Sequence, residues 1–145
     1  MKKVRVLPTL LALIFALNTS MAFAAVDVRD ASPVLESYGI GIYAEGNSSM
    51  DITFEVWGTK TMDRLGAYSL FIEEEILPDT WVLFDMLYFD FDDERYFTED
   101  SVYHIGHYYF NGLPGNRYRA TLTAYAELDG VSDTGEVSSP ARVCY

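Results

Sequence analysis

Leu113-Pro114-Gly115-Asn116-Arg117-Tyr118-Arg119-Ala120-Thr121-Leu122-Thr123-Ala124-Tyr125-Ala126 is the stretch that decides the fold. Pro114-Gly115 predicts a tight turn, because Pro fixes its own φ and Gly accepts the positive φ that other residues resist. Beyond the turn, Tyr118, Ala120, Leu122 and Ala124 alternate with Arg119, Thr121, Thr123 and Tyr125. A period of two is that of a strand with one buried face.

Working outward, six further stretches read as strands. Tyr38, Ile40 and Ile42 share a face within Glu36–Ala44. Met50, Ile52, Phe54 and Val56 alternate with Asp51, Thr53, Glu55 and Trp57. A corner is expected at residues 58–64. A third strand is marked by Tyr68, Leu70 and Ile72 and runs out at Glu73-Glu74-Glu75. Residues 80–89 are apolar on both faces, with Asp85 and Asp90 as gatekeepers against edge pairing. On that strand Trp81, Leu83 and Leu87 are expected to face the core. Val102–Phe110 forms a fifth strand, Arg117–Glu127 the central one, and Asp129-Gly130 signals a hairpin into residues 131–143.

Seven short strands at roughly ten-residue spacing, with no helical stripe, predict an all-β antiparallel sandwich. The turn Leu113-Pro114-Gly115 and the spacing Tyr118-x-Ala120-x-Leu122-x-Ala124 resemble the fibronectin type III and immunoglobulin-like domains. There a slightly longer Leu-x-Pro-Gly turn leads into a strand whose Tyr makes a "tyrosine corner". The resemblance implies a single seven-stranded immunoglobulin-like sandwich over residues 36–145. It extends loosely to small exported bacterial β-sandwich proteins of no assigned activity.

The first 24 residues read as a secretory leader. Lys2, Lys3 and Arg5 precede the apolar run Leu7–Leu17, and Ala22-Phe23-Ala24 supplies a small-x-small cleavage site. The apolar run is too short to span a bilayer. Cleavage would leave a polar lead-in at 25–35 and 121 residues in all, enough to hold a core without disulfides. The expected location is therefore outside the cell, by bacterial export.

Loss of the three basic residues takes the formal charge from −12 to −15. Such a charge repels nucleic acid and anionic membranes. Cys144, the single cysteine, excludes an internal disulfide and leaves a free thiol on a frayed tail or, less favoured, a dimer through it. A monomer is the expected state.

Four constellations invite chemistry. Asp90, Asp92, Asp93 and Glu94 offer hard oxygen ligands for a structural calcium ion, against the plainer reading of a solvated acidic loop. Glu73, Glu75 and Asp85 would suit a small carboxylate-based glycan hydrolase, although no catalytic motif accompanies them. His104 and His107 lie an odd number apart on a strand, so they should face opposite ways and not share a metal. Trp57, flanked by Asp51 and Glu55 on an outward face, has the make-up of a sugar-stacking platform, or else of a cross-strand pair. The function expected is a non-catalytic module that binds an extracellular protein or glycan through a sheet face or loops. A hydrolase or a purely structural envelope-associated protein are the alternatives.

Overall fold

The computed structural model describes residues 26, 27 and 32–145; the predicted leader lies outside the described residues. The described chain forms ten strands. They are β1 (Val26–Asp27), β2 (Leu35–Gly46), β3 (Ser49–Met62), β4 (Arg64–Leu77), β5 (Thr80–Tyr88), β6 (Phe97–Thr98), β7 (Ser101–Asn111), β8 (Arg117–Leu128), β9 (Val131–Ser138) and β10 (Arg142–Val143). All pairings are antiparallel, and they make two sheets. One has the order β1-β2-β3-β7. In the other, β4 and β8 lie at the centre, with β5 and β6 along the far side of β4 and β9 and β10 along the far side of β8. No described segment is a helix, so none can cross a membrane as one.

The turns follow from their residues. Gly115 takes φ 90°, and the Asn116 N–H donates to the Leu113 carbonyl at 3.1 Å, closing the Pro-Gly turn. Asp129 and Gly130 both have positive φ, the geometry whose twist matches a two-residue hairpin between β8 and β9. Pro140 falls in the break between β9 and β10, where a missing N–H costs no ladder bond.

The core lies between the sheets. Ile40, Ile42, Met50, Ile52, Phe54 and Val56 descend from one, and Leu65, Leu70, Ile72, Tyr118 and Leu122 from the other, all fully or almost fully buried. The small side chains of Ala120, Ala124 and Ala126 allow β8 to lie close under β2 and β3. Tyr118 is the corner predicted from the sequence. Its hydroxyl accepts the Leu113 N–H at 2.8 Å and donates to Glu74 Oε1 at 2.6 Å, and Glu74 is also held by the Asn116 amide at 2.7 Å.

Several expectations are corrected. Tyr68 does not share the core face with Leu70 and Ile72, because a bulge between Ala67 and Ser69 turns it outward. There it stacks on Tyr125 at 6.4 Å. The predicted corner at 58–64 is mostly strand, since β3 continues to Met62, whose side chain is buried. Trp81 and Leu83 are not core residues. A bulge beside Phe84 sets Trp81 and Leu83 opposite Glu75 and Glu73, on the face of the sheet turned away from the core. Trp81 lies instead beneath the guanidinium groups of Arg119 and Arg117, at 4.4 and 5.9 Å from the ring centre. The charged segment 90–100 is anchored rather than merely solvated: Tyr96 and Phe97 are buried, and Tyr96 stacks on Phe89 at 3.7 Å. Cys144 is not on a frayed tail. It is fully buried, because the last residues dock through bonds from Ser48 N–H to the Tyr145 carbonyl and from Cys144 N–H to the Asn116 carbonyl.

Two predictions test this packing. Tyr118→Phe should lower the unfolding free energy by about 2 kcal/mol, since it strips the part-buried Leu113 amide and the Glu74 carboxylate of their partner; a loss below about 0.5 kcal/mol would contradict the corner. Burial, then the Glu74 bond, push the Tyr118 phenol up to about 12. The folded state therefore holds a proton that the unfolded chain releases near pH 10. The stabilisation is complete below that value and fades as pH rises toward 12, by about 2–3 kcal/mol in total. Denaturant titrations of wild type and Tyr118→Phe should converge across that range; a constant gap would refute the assignment.

Candidate functional site

The outward face of the first sheet carries an ordered ladder of side chains. Because β3 and β7 pair without interruption from Ser49↔Asn111 to Trp57↔Tyr103, each outward residue has a fixed neighbour across the strands. Asp51 faces Tyr109, Thr53 faces His107, Glu55 faces Ile105 and Trp57 faces Tyr103. The inward partners Ile52, Phe54 and Val56 are wholly buried and lock this orientation. On the other side of β3, Gly41 stands beside Thr53, and the ring of Tyr43 folds over it. A Cβ at Gly41 would come within 2.6 Å of the Tyr43 hydroxyl, so a larger residue here would displace the Tyr43 ring from this low floor.

The aromatic members are arranged in parallel pairs. Trp57 and Tyr103 stack with centroids 5.2 Å apart and planes 27° apart. His107 and Tyr109 are 6.1 Å apart and parallel to within 8°. Trp57 is 37% exposed and Tyr109 61%, so the rings present substantial surface to solvent. Trp57 is thus both the cross-strand partner and the exposed ring that the sequence allowed.

A polar knot sits at the His107–Tyr109 end of the ladder. Asp51 is buried although charged, and its Oδ2 accepts from the Thr53 hydroxyl at 3.3 Å and pairs with His107 Nδ1 at 3.1 Å. Nδ1 is thus engaged by the Asp51 carboxylate, and Nε2 makes no hydrogen bond among the described residues and is open to a ligand. Along β7 the face runs into a groove of about 580 Å³, walled by Glu94, Arg95 and Tyr96 and sharing Ile105, His107 and Tyr109 with the ladder. His107 and Tyr109 were missed as binding residues in the sequence, where the opposite-face argument served only to dismiss a metal. The pairing of β3 with β7 is what brings them beside Asp51.

His104 points inward, packs 5.9 Å from the Phe54 ring, and is hydrogen-bonded to the Arg95 carbonyl at 3.2 Å. Burial pushes its pKa down, which keeps it neutral. Asp93 is engaged by Arg95 through both carboxylate oxygens, at 2.9 and 2.6 Å, and this bond holds its carboxyl below the ordinary value. Asp90 accepts the Asp92 N–H at 3.2 Å, and Glu94 extends to solvent. Among the described residues, no three His, Cys, Asp or Glu side chains converge as a cation would require. Glu73 and Glu75 are paired with Arg119 and Arg117, at 2.7 and 2.6 Å. Asp85 lies on the opposite face and accepts from the Tyr108 hydroxyl at 3.4 Å.

With Asp93 committed to Arg95, millimolar calcium should leave the melting temperature unchanged to within about one degree. A rise of several degrees would show that Asp90, Asp92 and Glu94 gather round the ion in solution.

Comparison of the chain with protein-family models, with curated proteins and with solved structures finds no match.

Proposed function

We propose that this chain is an exported, non-catalytic binding module of the fibronectin type III-like kind, and that it recognises a glycan through the outward face of β3 and β7. Lettered in chain order, β2, β3, β4, β5, β7, β8 and β9 are strands A to G. They divide as A-B-E and D-C-F-G, which is the immunoglobulin arrangement with the fourth strand moved from the fifth to the third. The Tyr118 corner at the start of β8 adds to that resemblance.

The observation that carries the functional reading is the ladder itself: the Trp57–Tyr103 and His107–Tyr109 ring pairs, with Glu55 on the rung between them and Thr53 and Asp51 directly across from His107 and Tyr109. A pyranose has flat C–H faces and a rim of hydroxyls. The rings offer apolar contact to the first, and carboxylate and imidazole acceptors suit the second. An open face of this kind favours a chain of sugars laid along the strands over a small molecule enclosed in a pocket. The hydrolase reading has less support. Glu73 and Glu75 are both tied to guanidinium groups, and Asp85 lies across the sheet from them.

A glycan-array screen of the exported protein tests the proposal. At least one glycan class should bind, and Trp57→Ala should weaken it by about tenfold or more, equivalent to about 1.4 kcal/mol, with the melting temperature nearly unchanged. Binding that survives both Trp57→Ala and Tyr109→Ala, or no binding on a broad array, would reject it.

A further inference from the structure

A second surface stands apart from the β3–β7 face. Of the sixteen large hydrophobic residues that the described chain exposes, eight lie on β4 and β5. Ile76, Leu77, Val82, Leu83, Met86 and Tyr88 are the chief of these, with Leu83 58% and Met86 50% exposed. Single exposed hydrophobics are ordinary, but a contiguous set on one hairpin marks an interaction site. Leu83, Met86 and Tyr88 stand opposite Glu73, Phe71 and Ser69, on the face of the sheet turned away from the core, and β5 is the last strand of that sheet. Among the described residues it pairs with β4 alone, so its outer edge has no strand beyond it.

The distribution of charge selects the occupant. Within Thr80–Tyr88 the one charged residue is Asp85. It is half-buried, and its carboxylate is occupied by the Tyr108 hydroxyl and by the Met86 N–H at 2.8 Å. That bond and the bulge beside Phe84 interrupt the edge, and they leave Thr80–Leu83 as the run on which a ladder can form. On the flank, Glu73 and Glu75 are neutralised by Arg119 and Arg117. The uncompensated charges stand at the two ends of the strand: Asp79 at the tip, and Asp90, Asp92 and Glu94 at the foot, all exposed.

An antiparallel second copy would set the acidic tip of each hairpin against the acidic foot of the other, and like charges there oppose association. A strand with basic ends meets the opposite case. We propose that the β4–β5 hairpin is a docking surface for an extended protein segment that is apolar along its length and carries lysine or arginine at both ends. The segment adds beside Thr80–Leu83 and packs its apolar side chains against Leu83, Met86 and their neighbours, which is strand addition to a sheet edge. This inference does not depend on the glycan reading, since it uses none of the residues of the β3–β7 face.

The test uses a fluorescent synthetic peptide of alternating valine and threonine with a lysine pair at each end, and the same peptide ending in glutamate pairs. Anisotropy should show the lysine-ended peptide binding at least about tenfold tighter, with the difference shrinking as salt is raised. Hydrogen exchange at Trp81–Leu83 should slow on binding. Leu83→Glu with Met86→Glu should abolish binding, and the milder Leu83→Thr with Met86→Thr should weaken it. Both pairs sit at exposed positions, so circular dichroism should remain that of the wild type. Trp57→Ala should bind the peptide like wild type. Equal affinity for the two peptides, no binding of either, or protection confined to β7 would overturn the proposal. So would a dimer of the protein alone that the Leu83→Thr, Met86→Thr pair dissociates, because the occupant would then be a second copy.

Discussion

The Tyr118 hydroxyl joins three parts of the chain that are remote in sequence. It accepts from the turn at Leu113, belongs to the central strand β8, and donates to Glu74 on β4. Because Glu74 also takes the Asn116 amide, the turn, the start of β8 and the far half of β4 are held at one buried point. The half-buried Glu74 carboxylate is satisfied there by two neutral donors, and removing one leaves it less well solvated. The rings of Phe84 and Phe110 stand edge-on to Tyr118 at 5.2 and 5.4 Å and close the flank of the sandwich over it. From this point β8 runs at fixed height under β2 and β3, so the inward register of β3 is set. Its outward register follows, because successive side chains on a strand alternate. The exposed ladder of Trp57, Glu55, Thr53 and Asp51 is in this sense a consequence of the buried one.

Much of that was legible in the residues. Wherever the period of two is unbroken, as in Met50–Val56 and Tyr118–Ala126, the sequence and the structure agree on which side chain points inward. Agreement fails where the backbone carries an extra residue. A bulge at Tyr68 and another near Phe84 each break the alternation, so that Tyr68, Trp81 and Leu83 face outward while Leu70, Ile72 and Leu87 beyond the bulges face the core, and no residue type at those points announces it. It fails again where burial depends on which face of the sheet is covered. Residues 80–89 are apolar enough for a core, yet Leu83, Met86 and Tyr88 face water, because they point to the face of the sheet turned away from the other. The acidic segment 90–100 misled in the opposite direction. Its charges sit between Phe91, Tyr96 and Phe97, whose rings tie it to the core.

The candidate site was half legible. Asp51, Glu55 and Trp57 could be grouped from one strand because their spacing alone puts them on one face. Their partners Tyr103, Ile105, His107 and Tyr109 depend on which strand lies next to β3, a long-range pairing without a local signal. The same limit applied to Cys144, whose burial depends on the docking of the last residues against Asn116 and Ser48 rather than on its own neighbours. In both cases the missing information was topological rather than chemical.

Taken together, the sandwich has two outward surfaces of different character: a polar, ring-bearing face on the narrow sheet and an apolar edge on the wide one. Both exist because the buried corner fixes the two sheets relative to each other. Native-state hydrogen exchange of the Leu113 amide addresses that corner most directly. Leu113 precedes an exposed turn and has no strand partner, yet its amide should exchange as slowly as the core of β8, at the rate set by global unfolding. Exchange at the rate of a free loop would show that the corner is open in solution and would remove the constraint on which the registers of β3 and β8 rest.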